Sequence, residues 1–405
     1  MRWIKAESGG FHLRGDSSSG KTTALRVAAS VFGGDSFMQR WRATDNAIEA
    51  IAAQHCDALL VLDELAQVDP KQAGEIAYML GNGQGKARAN RSALPKPLLR
   101  WNLLFLSAGE VGLAQHVAES GKRVRAGQEV RMVDMPADTG VYGAFESLHA
   151  HVSAPAFSDA VTTACKRWHG TAAPAFIEHL ITHQEGLSAR MLAAVDAVAS
   201  NMIPEAASGQ VQRVGRRFAL VAAAGELATQ AGITGWPEGE ATRAARACFE
   251  AWLSARGGLG NLEQSQMLGQ VRNFLQLHGA GRFTWWHRAA DDHAPNTLSR
   301  AGYKRMVNDE GKPVRSNAEH QREFGERISD ADAQGMATEY FIFPEVFDKE
   351  VCQGFDPKTV KRMLRELGHL HAESETRYER KERLPGIGNT RVIKIKPSIF
   401  EGDAE

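Results

Sequence analysis

Eight residues carry the clearest chemistry in the sequence: Gly15, Asp16, Ser17, Ser18, Ser19, Gly20, Lys21 and Thr22. They fit the pattern G-x-x-x-x-G-K-[ST], in which glycines let backbone approach phosphate and the amides of a helix N-terminus supply positive potential. Lys21 is then placed to reach the β- and γ-phosphates of a nucleotide, and Thr22 to ligate Mg²⁺. The flanks agree with this reading. Gly10 to Arg14 reads as a short buried strand, and Thr23 to Phe32 as a helix with apolar residues at helical spacing. The bland alternative is a serine-glycine turn that happens to precede a helix.

A second stretch argues against that alternative. The apolar run Leu59 to Leu62 ends in Asp63 and Glu64, which describes a buried parallel strand opening onto a ligand crevice. Asp63 is placed to hold Mg²⁺ through its waters, and Glu64 to polarise an attacking water. Asp-Glu after a strand means little alone; downstream of a phosphate loop it describes a hydrolysis site. The run Trp101 to Leu106 reads as a further strand with Ser107 at its tip, where a hydroxyl beside the acids could sense the γ-phosphate.

These residues need elements to hold them. Phe37 to Arg42 is a strand candidate, Thr44 caps a helix bearing Ala47, Ile48, Ile51 and Ala52, and Pro70 to Leu80 is helical. Val130 to Met135 is a fifth strand, starting at Arg131. Short strands alternating with helices predict a doubly wound parallel α/β sheet. From Ala150 to Gly258 the pattern is helical and alanine-rich, fitting a lid packed beside the sheet. The chain of 405 residues suits two or three domains. Formal net charge is zero, so a basic surface must be local. Cys56, Cys165, Cys248 and Cys352 are scattered, which excludes a disulfide framework or zinc spacing and predicts a cytoplasmic protein. No apolar run is long enough to cross a bilayer.

Two basic segments stand out. Gly81 to Arg100 is glycine-rich and acid-free, with Lys86, Arg88 and Arg91 placed to grip a phosphate backbone; a solvated loop is the alternative. Asp356 to Gly368 reads as a capped helix with Val360, Met363, Leu364 and Leu367 on one face and Lys358, Lys361, Arg362 and Arg365 on the other. Arg391 to Lys396 follows as a basic strand. That layout predicts a winged-helix-like domain, whose second helix enters a DNA groove. Between them, Arg288 to Ala337 reads as a polar insertion.

Trp41 to Glu49 (WRATDNAIE), Gly81 to Arg91 (GNGQGKARANR), Leu106 to Glu110 (LSAGE) and Ala126 to Asp138 (AGQEVRMVDMPAD) add something narrower. Together with the phosphate loop and acidic strand they resemble the AAA+ ATPases. Within those, they resemble the domain of unknown function 927 family of phage, plasmid and genomic-island primase-helicases of the MCM-like type. The resemblance is close over residues 9–145, looser to 258 and architectural beyond. It implies that Lys21 and Thr22 bind ATP and Mg²⁺, that Asp63 and Glu64 are the Walker B acids, and that Ser107 is the first sensor. It makes Arg131 an arginine finger offered to a neighbouring subunit, and Arg213, Arg216 or Arg217 the lid's arginine sensor. It places Lys86, Arg88 and Arg91 on a hairpin aimed into a DNA channel. The family carries a further stretch before the first strand, so the resemblance does not say which residues here would hold the adenine.

The resulting expectation is an AAA+ core over 1–149, a helical lid over 150–258 and a winged-helix-like domain over 259–405, with the polar insertion around 288–338. The expected function is ATP-driven DNA unwinding or translocation for a mobile element, in a homo-oligomeric ring, taken as a hexamer. The rivals are an ATP-switched DNA-binding initiator or loader, and an inactive fragment lacking an N-terminal part.

Overall fold

Each strand of the first sheet is short, and most are apolar enough to be covered on both faces. In this computed structural model, residues 1–88, 97–121, 126–286, 289, 297, 299–307 and 337–401 are described. They fall into two units, Met1–Leu262 and Glu263–Glu405.

The first unit runs β1 (Gly9–Arg14), α1 (Lys21–Ser30), β2 (Gln39–Arg40), α2 (Asp45–Gln54), β3 (Leu59–Asp63), α3 (Pro70–Asn82), β4 (Leu104–Gly109), α4 (Leu113–Ala118), α5 (Ala126–Glu129) and β5 (Met132–Pro136). The sheet order is β2-β3-β4-β1-β5, and every pairing is parallel. All five strands therefore point one way, so their carboxyl ends share one edge and their amino ends the other. Phe105, Leu60 and Leu62 pack with α2 and α3 residues such as Ile48, Ile76 and Leu80 on one face. Phe11, Val133 and Met135 pack on the other against Val214, Phe218 and Phe249, while Leu25 of α1 meets Val61 and Ala108. Gly10 is a glycine because the Phe105 ring lies 2.2 Å from where its Cβ would stand.

From Ala154 to Arg256 the described elements are all helical: α6 (Ala154–Arg167), α7 (Ala172–Thr182), α8 (Leu187–Met202), α9 (Gly209–Gln230) and α10 (Glu240–Arg256). Arg213, Arg216 and Arg217 all lie on the first half of α9. Its Arg217 is buried and donates to Val130 O at 2.9 Å. Burial lowers the Arg217 pKa to about 10. Gly9 leaves room for this guanidinium, which would lie 2.3 Å from a Cβ there.

The second unit holds most of α11 (Leu262–His278), then β6 (Phe283–Trp285), β7 (Gly302–Val307), β8 (Ala337–Ile342), α12 (Pro357–Glu366), β9 (Arg380–Leu384) and β10 (Gly388–Ile395). Its sheet is β6-β7-β8-β10-β9, with β6–β7 parallel and the remaining pairs antiparallel. β10 opens three residues before the basic strand read from Arg391. The expected polar insertion is also corrected in part, since β7 lies inside it and is mostly buried; residues 308–336 lie outside the described residues.

Helix α12 has the predicted caps. Asp356 accepts from Thr359 N at 2.8 Å, Pro357 opens the helix, and Gly368 has φ 79°. Val360, Met363 and Leu364 are buried, but Leu367 is exposed. Lys361 is also buried, held by Asp348 at 2.8 Å and Glu379 at 3.7 Å. The expected four-cation face is thus corrected: Lys361 belongs to the interior because two acids meet it there, and Arg365 donates to Glu375 O. Lys358 and Arg362 remain exposed. On β10, Lys394 likewise turns inward onto Glu339 at 3.1 Å. Arg305 and His371 share that carboxylate, and these partners outweigh its burial to hold it at about 2.

Candidate functional site

The glycine-rich loop leaves the carboxyl end of β1 and turns directly into α1. Gly20 takes φ 91° as the residue before the helix, and Ser18 takes φ 62° within the loop. No side chain caps the α1 N-terminus and no acid stands in its first turn, so its amides keep their positive potential. Lys21 is buried and folds back into the loop, donating to Gly15 O at 2.8 Å, Asp16 O at 2.5 Å and Ser19 Oγ at 3.2 Å. An ammonium resting on neutral oxygens is poised to exchange them for anionic ones. Thr22 is half-buried beside it.

Asp63 closes β3 at the same edge of the sheet. Since β4 lies between β3 and β1, Asp63 stands two strand spacings from the loop, on the order of 10 Å. That span has room for a hydrated cation and a phosphate. Glu64 is exposed and left-handed at φ 68°, ψ 69°. A non-glycine residue there costs about 1 kcal/mol or more, and such outliers gather where a side chain must be aimed.

Ser107 is placed differently from the expectation. β4 runs three residues further than the sequence suggests, so Ser107 pairs opposite Leu62 and His12 inside the sheet. It is fully buried, accepting from Trp41 Nε1 at 2.7 Å and lying 3.0 Å from His12 Nδ1. A hydroxyl so enclosed does not touch a phosphate, and the first-sensor assignment is corrected on that ground. His12 Nε2 is 3.0 Å from Val111 O. A carbonyl only accepts, so Nε2 carries the proton, and Ser107 donates to Nδ1. The chain Trp41 to Ser107 to His12 to Val111 thereby ties β1 to the segment following β4. Sequence reading missed it, although the polar letters of buried strands, His12 and Ser107, were its signal.

The arginines gather at the other edge. Arg131 immediately precedes β5, donating to Gly127 O at 2.8 Å and Asn82 Oδ1 at 3.0 Å, with its guanidinium 4.2 Å from the Tyr78 ring centre. Asp134, on the strand that follows, pairs with Arg14 at 3.3 Å. Arg213 pairs with Glu7 at 2.5 Å and Arg216 with Asp196 at 2.7 Å. Arg131, Arg213 and Arg100 line one open cleft of about 500 Å³ together with Asn82 and Glu7. Glu7 and Arg131 stand just before β1 and β5, so this cleft is at the amino edge. A strand of six residues separates the two edges by roughly 20 Å. Neither Arg131 nor Arg213 therefore reaches its own loop, and Arg216 is occupied elsewhere.

Lys86 and Arg88 are also engaged. Lys86 meets Asp45 at 2.8 Å; Arg88 meets Glu49, a buried acid, at 2.5 Å and Asn46 at 2.7 Å. These pairs hold both side chains against α2. Arg91 lies outside the described residues. Among the described residues, no group of three or more His, Cys, Asp or Glu could hold a metal ion, and no helix is long and apolar enough to cross a membrane.

Residues 1–96 match a family model described as "Domain of unknown function (DUF927)". None of the curated proteins matches the chain. A solved structure titled "SCCmec type IV Cch - active helicase" is similar over 98% of this chain, with TM-score 0.66 and 17% identity. The chain spans 63% of that structure's length. At this identity the likeness establishes a shared fold: an α/β architecture with a five-stranded parallel sheet, similar to that of a helicase.

His12 also makes a measurable prediction. Burial, with Arg14, Lys21 and His116 nearby, lowers its pKa from 6.5 to about 4 despite the bond to Val111. The folded state therefore binds fewer protons than the unfolded one. The stability contributed by neutral His12 is complete above about pH 6.5 and is lost as pH falls toward 4, by on the order of 3 kcal/mol. Urea midpoints measured between pH 7.5 and 4.5 should fall less steeply for His12→Gln than for the wild type. Parallel slopes would remove His12 as the source.

Proposed function

We propose that the chain is a Mg²⁺-dependent ATP hydrolase of the AAA+ P-loop type that drives movement along DNA, as a helicase or translocase of a mobile element. The observation that carries this reading is the meeting of an uncapped helix N-terminus, a glycine-rich loop and the Asp63–Glu64 tip at one edge of a parallel sheet. The likeness to a structure titled an active helicase supports the DNA-moving half of the reading.

The residues fit the nucleotide. The loop amides and Lys21 would hold the β- and γ-phosphates. Thr22 and Asp63 would hold Mg²⁺, which neutralises charge on the phosphate oxygens. Glu64 accepts a hydrogen bond from the attacking water. Water oxygen bonds to the γ-phosphorus as the bond to the β–γ bridging oxygen breaks, and the protein's share is positioning and charge. Arg131 and Arg213 stand at the opposite edge, which suits residues that act on the nucleotide of the next subunit in a ring, taken as a hexamer. An arginine supplied in this way is worth on the order of 10³ to 10⁵ in rate.

A forked-duplex strand-displacement assay tests the whole reading. ATP-dependent unwinding should be seen with the wild type. It should vanish in Glu64→Gln, which still binds ATP, whereas Lys21→Ala should weaken binding itself. Hydrolysis near the wild-type rate by Glu64→Gln would remove Glu64 from its role. Nucleotide-dependent DNA binding without unwinding would favour an initiator or loader.

The exposed cations of α12 are proposed to meet DNA phosphate, while Lys361 serves the fold. Replacing Lys358 and Arg362 with alanine should lower the slope of log affinity against log salt by about 1.8, roughly 0.9 for each contact. Lys361→Ala should leave that slope alone and lower the melting temperature. A slope unchanged in the double variant would make α12 a solvated face.

A further inference from the structure

We infer that the cleft between the glycine-rich loop and residues 139–159 receives the base and ribose of a purine nucleotide, with Tyr142 as the stacking surface and Asp159 as an acceptor for hydroxyl or amino groups. The inference rests on the reading of Gly15–Thr22 as a phosphate cradle. It supplies the nucleoside site that the sequence resemblance leaves open.

After β5 the chain doubles back over the loop in a tied turn. Thr139 N and Oγ1 both donate to Gly143 O, at 2.7 and 3.0 Å, and Gly140 N donates to Asp138 Oδ1 at 2.8 Å. Ala144 N donates to Ser19 O at 2.7 Å, joining the turn to the loop backbone. Gly143, at φ 66°, is required here, because a Cβ would stand 2.5 Å from Ser19 O. Phe145 then packs over Gly20, 3.0 Å from where a Cβ would be, and edge-on to Phe157 of α6 at 5.0 Å. Ser158 Oγ closes the other side on Thr23 Oγ1 at 2.5 Å. The wall is thus preorganised against the cradle.

Within that wall Tyr142 remains 44% exposed and lines a cleft of about 370 Å³ shared with Ser18, Lys21, Thr22 and Asp159. That volume falls within the roughly 300–1,000 Å³ of small-molecule sites. Lys21 and the loop amides mark the end that takes phosphate. Asp159 is exposed, and an ionised carboxylate accepts hydrogen bonds but repels phosphate. The end of the ligand near it therefore carries donors, as a ribose or an aminopurine does. An open aromatic face between the two suits a flat heterocycle.

Calorimetric titration of the full chain with ADP and, separately, with inorganic tripolyphosphate separates the two ends. Wild type should bind both, ADP more tightly per phosphate. Tyr142→Ala should weaken ADP roughly tenfold, in the range of one lost stacking contact, and leave tripolyphosphate unchanged. Tyr142→Phe should restore ADP affinity, and Asp159→Asn should weaken ADP alone. ADP affinity unmoved by Tyr142→Ala, or tripolyphosphate weakened equally, would overturn the inference. Tripolyphosphate binding that is lost in Lys21→Ala would keep the cradle reading in either case. Absence of any binding by the wild type would overturn both.

Discussion

The parallel direction of five strands is the constraint on which the rest depends. It gathers the glycine-rich loop, Asp63 and Glu64 at the carboxyl edge and sends Arg131 to the amino edge. A hairpin-built antiparallel sheet of the same residues would mix the two sets. Given one direction, a subunit holds the cradle and the acids at one edge and offers cations at the other. In the proposed function, neither edge completes the chemistry alone. The ring in the proposed function is the simplest arrangement that brings one edge to the other, because a head-to-tail contact repeats until it closes.

Holding two edges in fixed register requires a stiff sheet. Part of that stiffness is apolar, in Phe105 filling the space left by Gly10 and in Leu60 and Leu62 packed against α2 and α3. Part is polar and fully enclosed. The Trp41–Ser107–His12–Val111 chain satisfies every donor it buries and crosses from β1 to the end of β4. Arg217 does the same at the amino edge, binding α9 to Val130 beside Gly9. Such groups are costly when unpaired and specific when paired. They fix which residues stand beside the loop more firmly than contact between aliphatic side chains.

The first unit was legible where local rules decide. The glycine-rich turn into α1, the Asp63 tip, the Thr44 cap and the alternation of strands and helices all follow from spacing and capping chemistry. The site was less legible where tertiary partners decide. Ser107 was read at a strand tip because the apolar run stops at Leu106, yet pairing with β1 carries the strand on to Gly109. Lys361 was read as an outward cation from periodicity, and Lys394 only as part of a basic strand. Distant acids, Asp348 and Glu339, turn both inward, and no local pattern announces a partner that far away. The Tyr142 turn was silent for the same reason: its Gly143 makes sense only against Ser19 O. Arg213 and Arg216 look equivalent on paper, and only the fold shows one lining the cleft with Arg131 and the other paired to Asp196.

In the proposed function two copies share each site, one giving the loop and Glu64 and the other giving Arg131. The most direct test mixes two inactive variants, Arg131→Ala and Glu64→Gln, and follows ATP hydrolysis as their ratio changes. A mixed ring contains interfaces with Glu64 intact on one side and Arg131 intact on the other, so activity should rise from near zero to a maximum at intermediate ratios. Mixtures that co-assemble, shown by co-purification of differently tagged variants, yet remain as inactive as either alone would contradict the claim.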